Sequence, residues 1–261
     1  MKYTYFRLVL AVLLFLGGWQ IVSAETNELM VRCVAFYNLE NVFDTIHDEG
    51  KNDYEYLPDG GMKWTSLKYT NKIQNMAYAI AQLGTDEDPR GAAIVGVSEV
   101  ENIGCLHDLC KELKEKHNRN YVPILLEGPD RRGIDVGLLY NPDMFKPVGK
   151  PKGYELKAHY ADGGVVRSRL QLWVSGYMLD DSRKIVMDKI HISVNHWPSR
   201  SGGEESSRAT RDTAAMLVKQ VADSIYMKEP RAKIIVMGDL NDDPFNNSCS
   251  VILGAKKTRE E

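Results

Sequence analysis

Five short clusters hold residue types that could do chemistry together. They are Asn38-Leu39-Glu40-Asn41, Glu99-Val100-Glu101-Asn102, Asp130-Arg131-Arg132-Gly133-Ile134-Asp135, Asn195-His196 and Gly238-Asp239-Leu240-Asn241. Carboxylates, amides and one imidazole without cysteine make an oxygen-rich set, suited to a hard cation such as Mg²⁺ or Mn²⁺. Such a set fits hydrolysis of a phosphate ester. The anionic ester repels nucleophiles, so its charge must be neutralised, a water activated and the departing alkoxide stabilised.

These clusters need elements to bring them together, and the intervening pattern supplies them. Residues 30–38 are β-rich, 92–98 form a short apolar strand, and 121–126 and 134–140 are two more. Residues 170–178 and 184–195 read as two long strands joined at Asp180-Asp181-Ser182, and 232–237 as another. Ile73, Met76, Ala77, Ile80 and Leu83 recur at helical spacing, predicting a helix over 66–83 that Gly84 stops. Further helices are predicted over 103–117 and 206–226, and a short one between Asp243-Pro244 and Gly254. Helices interleaved with strands and hairpins predict a mixed αβ (α+β) sandwich. Four apolar runs end in the polar clusters, at strand carboxyl ends where loops from distant segments converge. An Asn or Asp there also serves simply to end a strand, and Asp135 is equally a strand-start carboxylate. The acidic stretch 44–64 lacks calcium-loop ligand order and reads as a solvated loop.

Tyr37-Asn38-Leu39-Glu40-Asn41, Glu99, Arg132-Gly133-Ile134-Asp135-Val136, Asn195-His196-Trp197-Pro198-Ser199-Arg200 and Gly238-Asp239-Leu240-Asn241-Asp242-Asp243-Pro244 resemble, in order, the endonuclease/exonuclease/phosphatase superfamily. The resemblance implies a four-layer α/β/β/α sandwich of the deoxyribonuclease I-like type and Mg²⁺-dependent cleavage of phosphoester bonds. By that resemblance Glu99 is the principal metal carboxylate, with Glu40 as a second ligand. Asn38 positions phosphate and water, Asp239 and Asn241 orient the attacking water, and His196 donates to the phosphoryl oxygen or leaving group. Arg132, Arg200 and Asn195 become candidate phosphate or substrate contacts, and Asp135 a supporting carboxylate. Arg167, Arg169, Arg208 and Arg211 are further cations of that kind, though surface arginines are commonly just solvated.

The family's late Asp-His element does not occur before Glu261. The expectation is therefore a domain over 25–261 lacking its last strands, with little or no turnover in this form. A non-catalytic binding protein on the same fold, and a phosphomonoesterase or lipid phosphodiesterase, stand as alternatives. The substrate classes include DNA and RNA, and no protein partner is implied.

Residues 1–24 read as a secretory signal. Lys2 and Arg7 precede an apolar run, and Val22-Ser23-Ala24 offers a small-residue cleavage site. The run is shorter than the ~20 residues needed to span a bilayer, so the expectation is an exported protein with no membrane span after cleavage. Its 43% hydrophobic and 26% charged content is that of a globular domain, and a net charge of −3 argues against a broadly basic nucleic-acid surface. Four cysteines without a CxxC pair predict free thiols.

Overall fold

The computed structural model describes residues 30–160, 163–186, 189–200, 203–256 and 258. The signal reading falls on residues outside these. Among the described residues no helix is long and apolar enough to cross a membrane.

The chain from Val31 onward builds two sheets with helices against their outer faces. The first sheet has the order β1 (Val34–Val42), β2 (Ile94–Val100), β4 (Asp135–Tyr140), β3 (Val122–Leu125). The second runs β5 (Phe145–Pro147), β7 (Gln171–Met178), β8 (Ile190–His196), β9 (Lys233–Asp239), with β6 (Lys152–Tyr154) also paired to β7. Helices α1 (Ser66–Ala81) and α2 (Ile103–His117) cover the first sheet, and α3 (Glu204–Lys228) covers the second. A single π-type turn, Ser248–Ile252, stands where the sequence predicts a short helix after Pro244. The α/β/β/α expectation therefore describes the layers.

Each layer follows from the two-residue period of strands. In β8, Ile190, Ile192 and Val194 face the other sheet, while His191, Ser193 and Asn195 fall on the α3 side. In β2, Ile94 faces the second sheet, whereas Val95 and Val97 pack beneath α1 and α2. Both central strands are buried almost throughout, although β2 opens on the apolar run Ile94-Val95-Gly96-Val97 while β8 alternates apolar and polar residues. The seam between sheets is tight at Gly96, where a Cβ would lie 2.7 Å from Met237 Cε.

Local chemistry sets the helix ends. The Thr65 hydroxyl accepts from Lys68 N–H, and the Asn102 side chain accepts from Cys105 N–H at 3.0 Å. Asn118 closes α2 in the left-handed conformation, φ 53°. The short strands β5 and β6 carry too few residues for a pattern to show. All four cysteines are free, as expected. The acidic loop is more structured than a solvated segment. Asp53 is buried and accepts from Asp48 N–H while bonding the His47 ring.

Gly238 pairs with Asn195 in the parallel β8–β9 ladder, at φ 151°. A Cβ there would sit 2.1 Å from the Asn195 carbonyl oxygen, a backbone atom with no room to yield. Gly238→Ala should therefore cost about 1–3 kcal/mol, read as a lowered thermal midpoint. An unchanged midpoint would show that the ladder tolerates the side chain.

Candidate active site

The site lies where the two sheets meet at the carboxyl ends of β1, β2, β8 and β9. Alternation alone puts three of its members on the facing surfaces of the sheets. Asn38 follows Val34 and Phe36, His196 follows Ile192 and Val194, and Asp239 follows Met237. His196 and Asp239 are direct partners in the β8–β9 register.

Glu99 is the exception. It follows Val95 and Val97, so an uninterrupted strand would aim it under the helices. The pairing shifts between Ser98 and Val100, and Glu99 takes φ 60°. This bulge turns the carboxylate into the seam, at a backbone cost of ~1–2 kcal/mol for a non-glycine residue. Glu40, Asn41 and Asn241 share the left-handed conformation at the same end of the molecule.

The outcome is a compact group. Glu99, His196 and Asp239 each offer a ligand atom, all within 4.8 Å of one another. His196 Nε2 stands 3.7 Å from Glu99 Oε1. The Asn38 amide nitrogen lies 3.3 Å from Glu99 Oε1 and 3.1 Å from Asp239 Oδ2, donating to both carboxylates. Its orientation is set from behind, because Glu40 N–H donates to Asn38 Oδ1 at 2.8 Å. The second oxygen of Asp239 accepts from Asn241 N–H at 3.0 Å. Two carboxylates brought this close, with a single amide between them, offer fitting oxygen donors to a hard divalent cation, and the imidazole stands beside them.

Cations surround the group without entering it. Arg169 is buried, donating to the Trp197 carbonyl at 3.2 Å and pairing with Asp130 at 3.4 Å. Arg132 donates to Asn41 Oδ1 at 3.2 Å. Burial first, then the charges of Arg169 and Arg132, hold His196 far below the usual imidazole pKa. His196 is therefore neutral, with one nitrogen able to donate, and its Nδ1 has no partner. Lys72 of α1 reaches the rim, where burial lowers its pKa against the opposing pull of Glu40 and Glu99.

Asn38, Glu99, His196, Asp239 and, through its backbone, Asn241 thus come together. Other candidates do not. The Glu40 carboxylate is 80% exposed and 3.9 Å from Lys72, because the left-handed turn at Glu40 and Asn41 swings it out of the seam. Asn195 cannot face the site alongside His196, since neighbours on a strand point to opposite faces. It is buried beneath α3, donating to Ser193 Oγ and the Met237 carbonyl. Arg200 ties the following loop through the Asn241 carbonyl, Asp243 and Glu204. Asp135 lies opposite Val100, one residue from Glu99, and is itself buried. Arg208 pairs with Glu205 on the surface, and Arg211 is locked to Asp242. Conversely, Lys72 and Tyr56 come into electrostatic reach of Glu99 with no sequence signal, as each sits in an ordinary polar or loop pattern.

The model of the Endonuclease/Exonuclease/phosphatase family matches residues 33–261. A mannosyl-6-phosphatase from Bacteroides thetaiotaomicron is 16% identical with a TM-score of 0.51, over 85% of this chain and 69% of that one. An endonuclease/exonuclease/phosphatase family protein from the same organism is 17% identical, TM-score 0.49, covering 85% and 67%. A functionally unknown conserved protein from Enterococcus faecalis is 12% identical, TM-score 0.49, covering 85% and 71%. No curated protein matches in sequence.

Asp135 yields a test of the packing behind the site. Burial raises its pKa to about 7, and its Oδ1 has no partner. A carboxyl whose folded pKa lies above its unfolded value near 4 takes up protons on folding. Its contribution is least unfavourable below pH 4, and stability falls as pH rises from there to about 7. Asp135→Asn removes that slope, so it should raise the thermal midpoint at pH 8 and leave it little changed at pH 4. The gain is at most about 4 kcal/mol. Parallel midpoint–pH curves for the two proteins would refute this account.

Proposed function

The chain belongs to the endonuclease/exonuclease/phosphatase family, and from that premise we propose that it is an exported, divalent-metal-dependent phosphodiesterase. The observation that carries the reading is the meeting of Asn38, Glu99, His196 and Asp239 from four strands at one point. Export rests on the signal-like residues 1–24.

Glu99 and Asp239 would hold the ion, Mg²⁺ or Mn²⁺, since hard cations prefer carboxylate oxygen. When bound, such an ion neutralises phosphate charge and makes a coordinated water more acidic. Asn38 keeps the two carboxylates at fixed separation beside the phosphoryl oxygen, both of its amide N–H groups being committed to them. Neutral His196 donates a hydrogen bond to that oxygen or to the departing alkoxide. Asp239, oriented by Asn241 N–H, accepts a hydrogen bond from the attacking water. Arg169 and Arg132 add positive potential behind the phosphate.

A phosphodiester is the substrate class this reading takes first. A DNA or RNA strand is one ligand of that kind. A phosphomonoester is the alternative, and a mannosyl-6-phosphatase is among the proteins of similar fold.

Two readouts test the proposal. Mn²⁺ binding, followed calorimetrically, should weaken at least tenfold in Glu99→Ala and stay within about threefold in His196→Ala. Hydrolysis of an aryl phosphodiester should exceed that of the monoester, stop with EDTA, and fall at least a hundredfold in either variant. The binding arm is informative whatever the turnover of the 261-residue chain. Hydrolysis that survives both EDTA and Glu99→Ala would sink the mechanism. Tight Mn²⁺ binding with no hydrolysis of either ester, in a form carrying the family's late Asp-His element, would point to the binding-protein alternative.

A further inference from the structure

A second polar cluster occupies the other end of β8. Ser175 and His191 are direct partners in the β7–β8 register, with Ser175 Oγ 2.8 Å from His191 Nδ1. The other ring nitrogen, Nε2, donates to Glu229 Oε2 at 3.2 Å, at the end of α3. Five residues of strand separate His191 from His196, so the clusters lie roughly 16 Å apart.

The cluster forms one wall of a pocket of about 240 Å³, whose rim carries Lys150, Lys152, Lys189 and Lys228. Lys189 pairs with Glu229. The other three lysines have no acidic partner among the described residues. Three ammonium groups around one hollow repel each other, and an anion among them relieves that repulsion. Trp173 also lines the pocket. It is 5% exposed, and its indole N–H has no hydrogen-bond partner. A buried donor left unpaired is destabilising, and an acceptor in the pocket removes that penalty. The inter-strand register places Lys152 directly beside Trp173, so the ammonium and the indole N–H serve the same space.

We propose that this pocket, walled by Trp173, Ser175 and His191 and rimmed by Lys150, Lys152 and Lys228, is a binding site for a small phosphate-class anion. Three uncompensated cations match a dianion better than a monocarboxylate. Tyr154, Val221 and Ile225 form an apolar wall suited to the organic part of a phosphate monoester. The site shares no residue with the Glu99–His196–Asp239 group, and the inference stands whether or not the phosphodiesterase reading does.

The Trp173 indole N–H is a built-in reporter. Its NMR resonance is assigned by its loss in Trp173→Phe, and the whole chain is titrated with inorganic phosphate. The resonance should shift and saturate. The double variant Lys152→Glu/Lys228→Glu should weaken the midpoint about tenfold or more, and the milder Lys228→Ala should weaken it less. His196→Ala, which alters the distant group, should leave the midpoint unchanged. The idea fails if the resonance does not move, or if the charge variants titrate like the parent. An acetate titration with the same midpoint as phosphate would overturn the phosphate assignment.

Discussion

One amide nitrogen holds the candidate-site end of this molecule together. Asn38 belongs to the first sheet, and its Nδ2 donates to Glu99 of that sheet and to Asp239 of the second. Two carboxylates facing each other across a seam would repel, and a shared donor is what lets them stay close. The Glu40 N–H that orients Asn38 comes from the irregularity just beyond it in β1, so a bulge in the strand aims the amide. The Trp197 carbonyl plays a similar part nearby, accepting from both Arg169 and the Asn241 side chain.

The arrangement is costly locally. Glu40, Asn41, Glu99 and Asn241 all adopt left-handed backbone, and Arg169 and Asp135 lie buried with an unpartnered polar atom each. Such concentrated strain and incomplete pairing persist only where surrounding structure over-determines them. Here that support is the apolar seam between the sheets, with Ile94, Val136, Leu138, Leu172, Ile192 and Val194 packed just below the polar group. The same seam excludes water from one side of the site, which strengthens every interaction above it.

Much of the frame was legible without coordinates. Helix α2 has the bounds its pattern predicts, because Asn102 caps one end and three basic residues crowd the other. Helix α1 begins at its Thr65 cap but ends two residues before Leu83, where the last turn loosens. Strand β8 starts at Ile190 and not at 184, as only the later residues find a partner in both β7 and β9. β5 and β6, three residues each, escaped because so short a run carries no period.

Residue types and their placement at strand ends determine the candidate chemistry here, since alternation puts Asn38, His196 and Asp239 on faces that can meet. The same alternation excludes Asn195, a consequence already implicit in the sequence once β8 is drawn. Glu99 is different. Its strand position points it beneath the helices, and only the bulge between Ser98 and Val100 brings it to the seam. Glu40 shows the converse, a plausible ligand turned out to solvent by one left-handed residue pair. Lys72, Tyr56 and the Ser175–His191–Glu229 group likewise depend on which surfaces of separate layers touch. Periodicity is a property of neighbours along the chain and can be read there. Bulges, reversals and contacts between layers come from packing the whole chain, and they decide which of the well-placed residues actually meet.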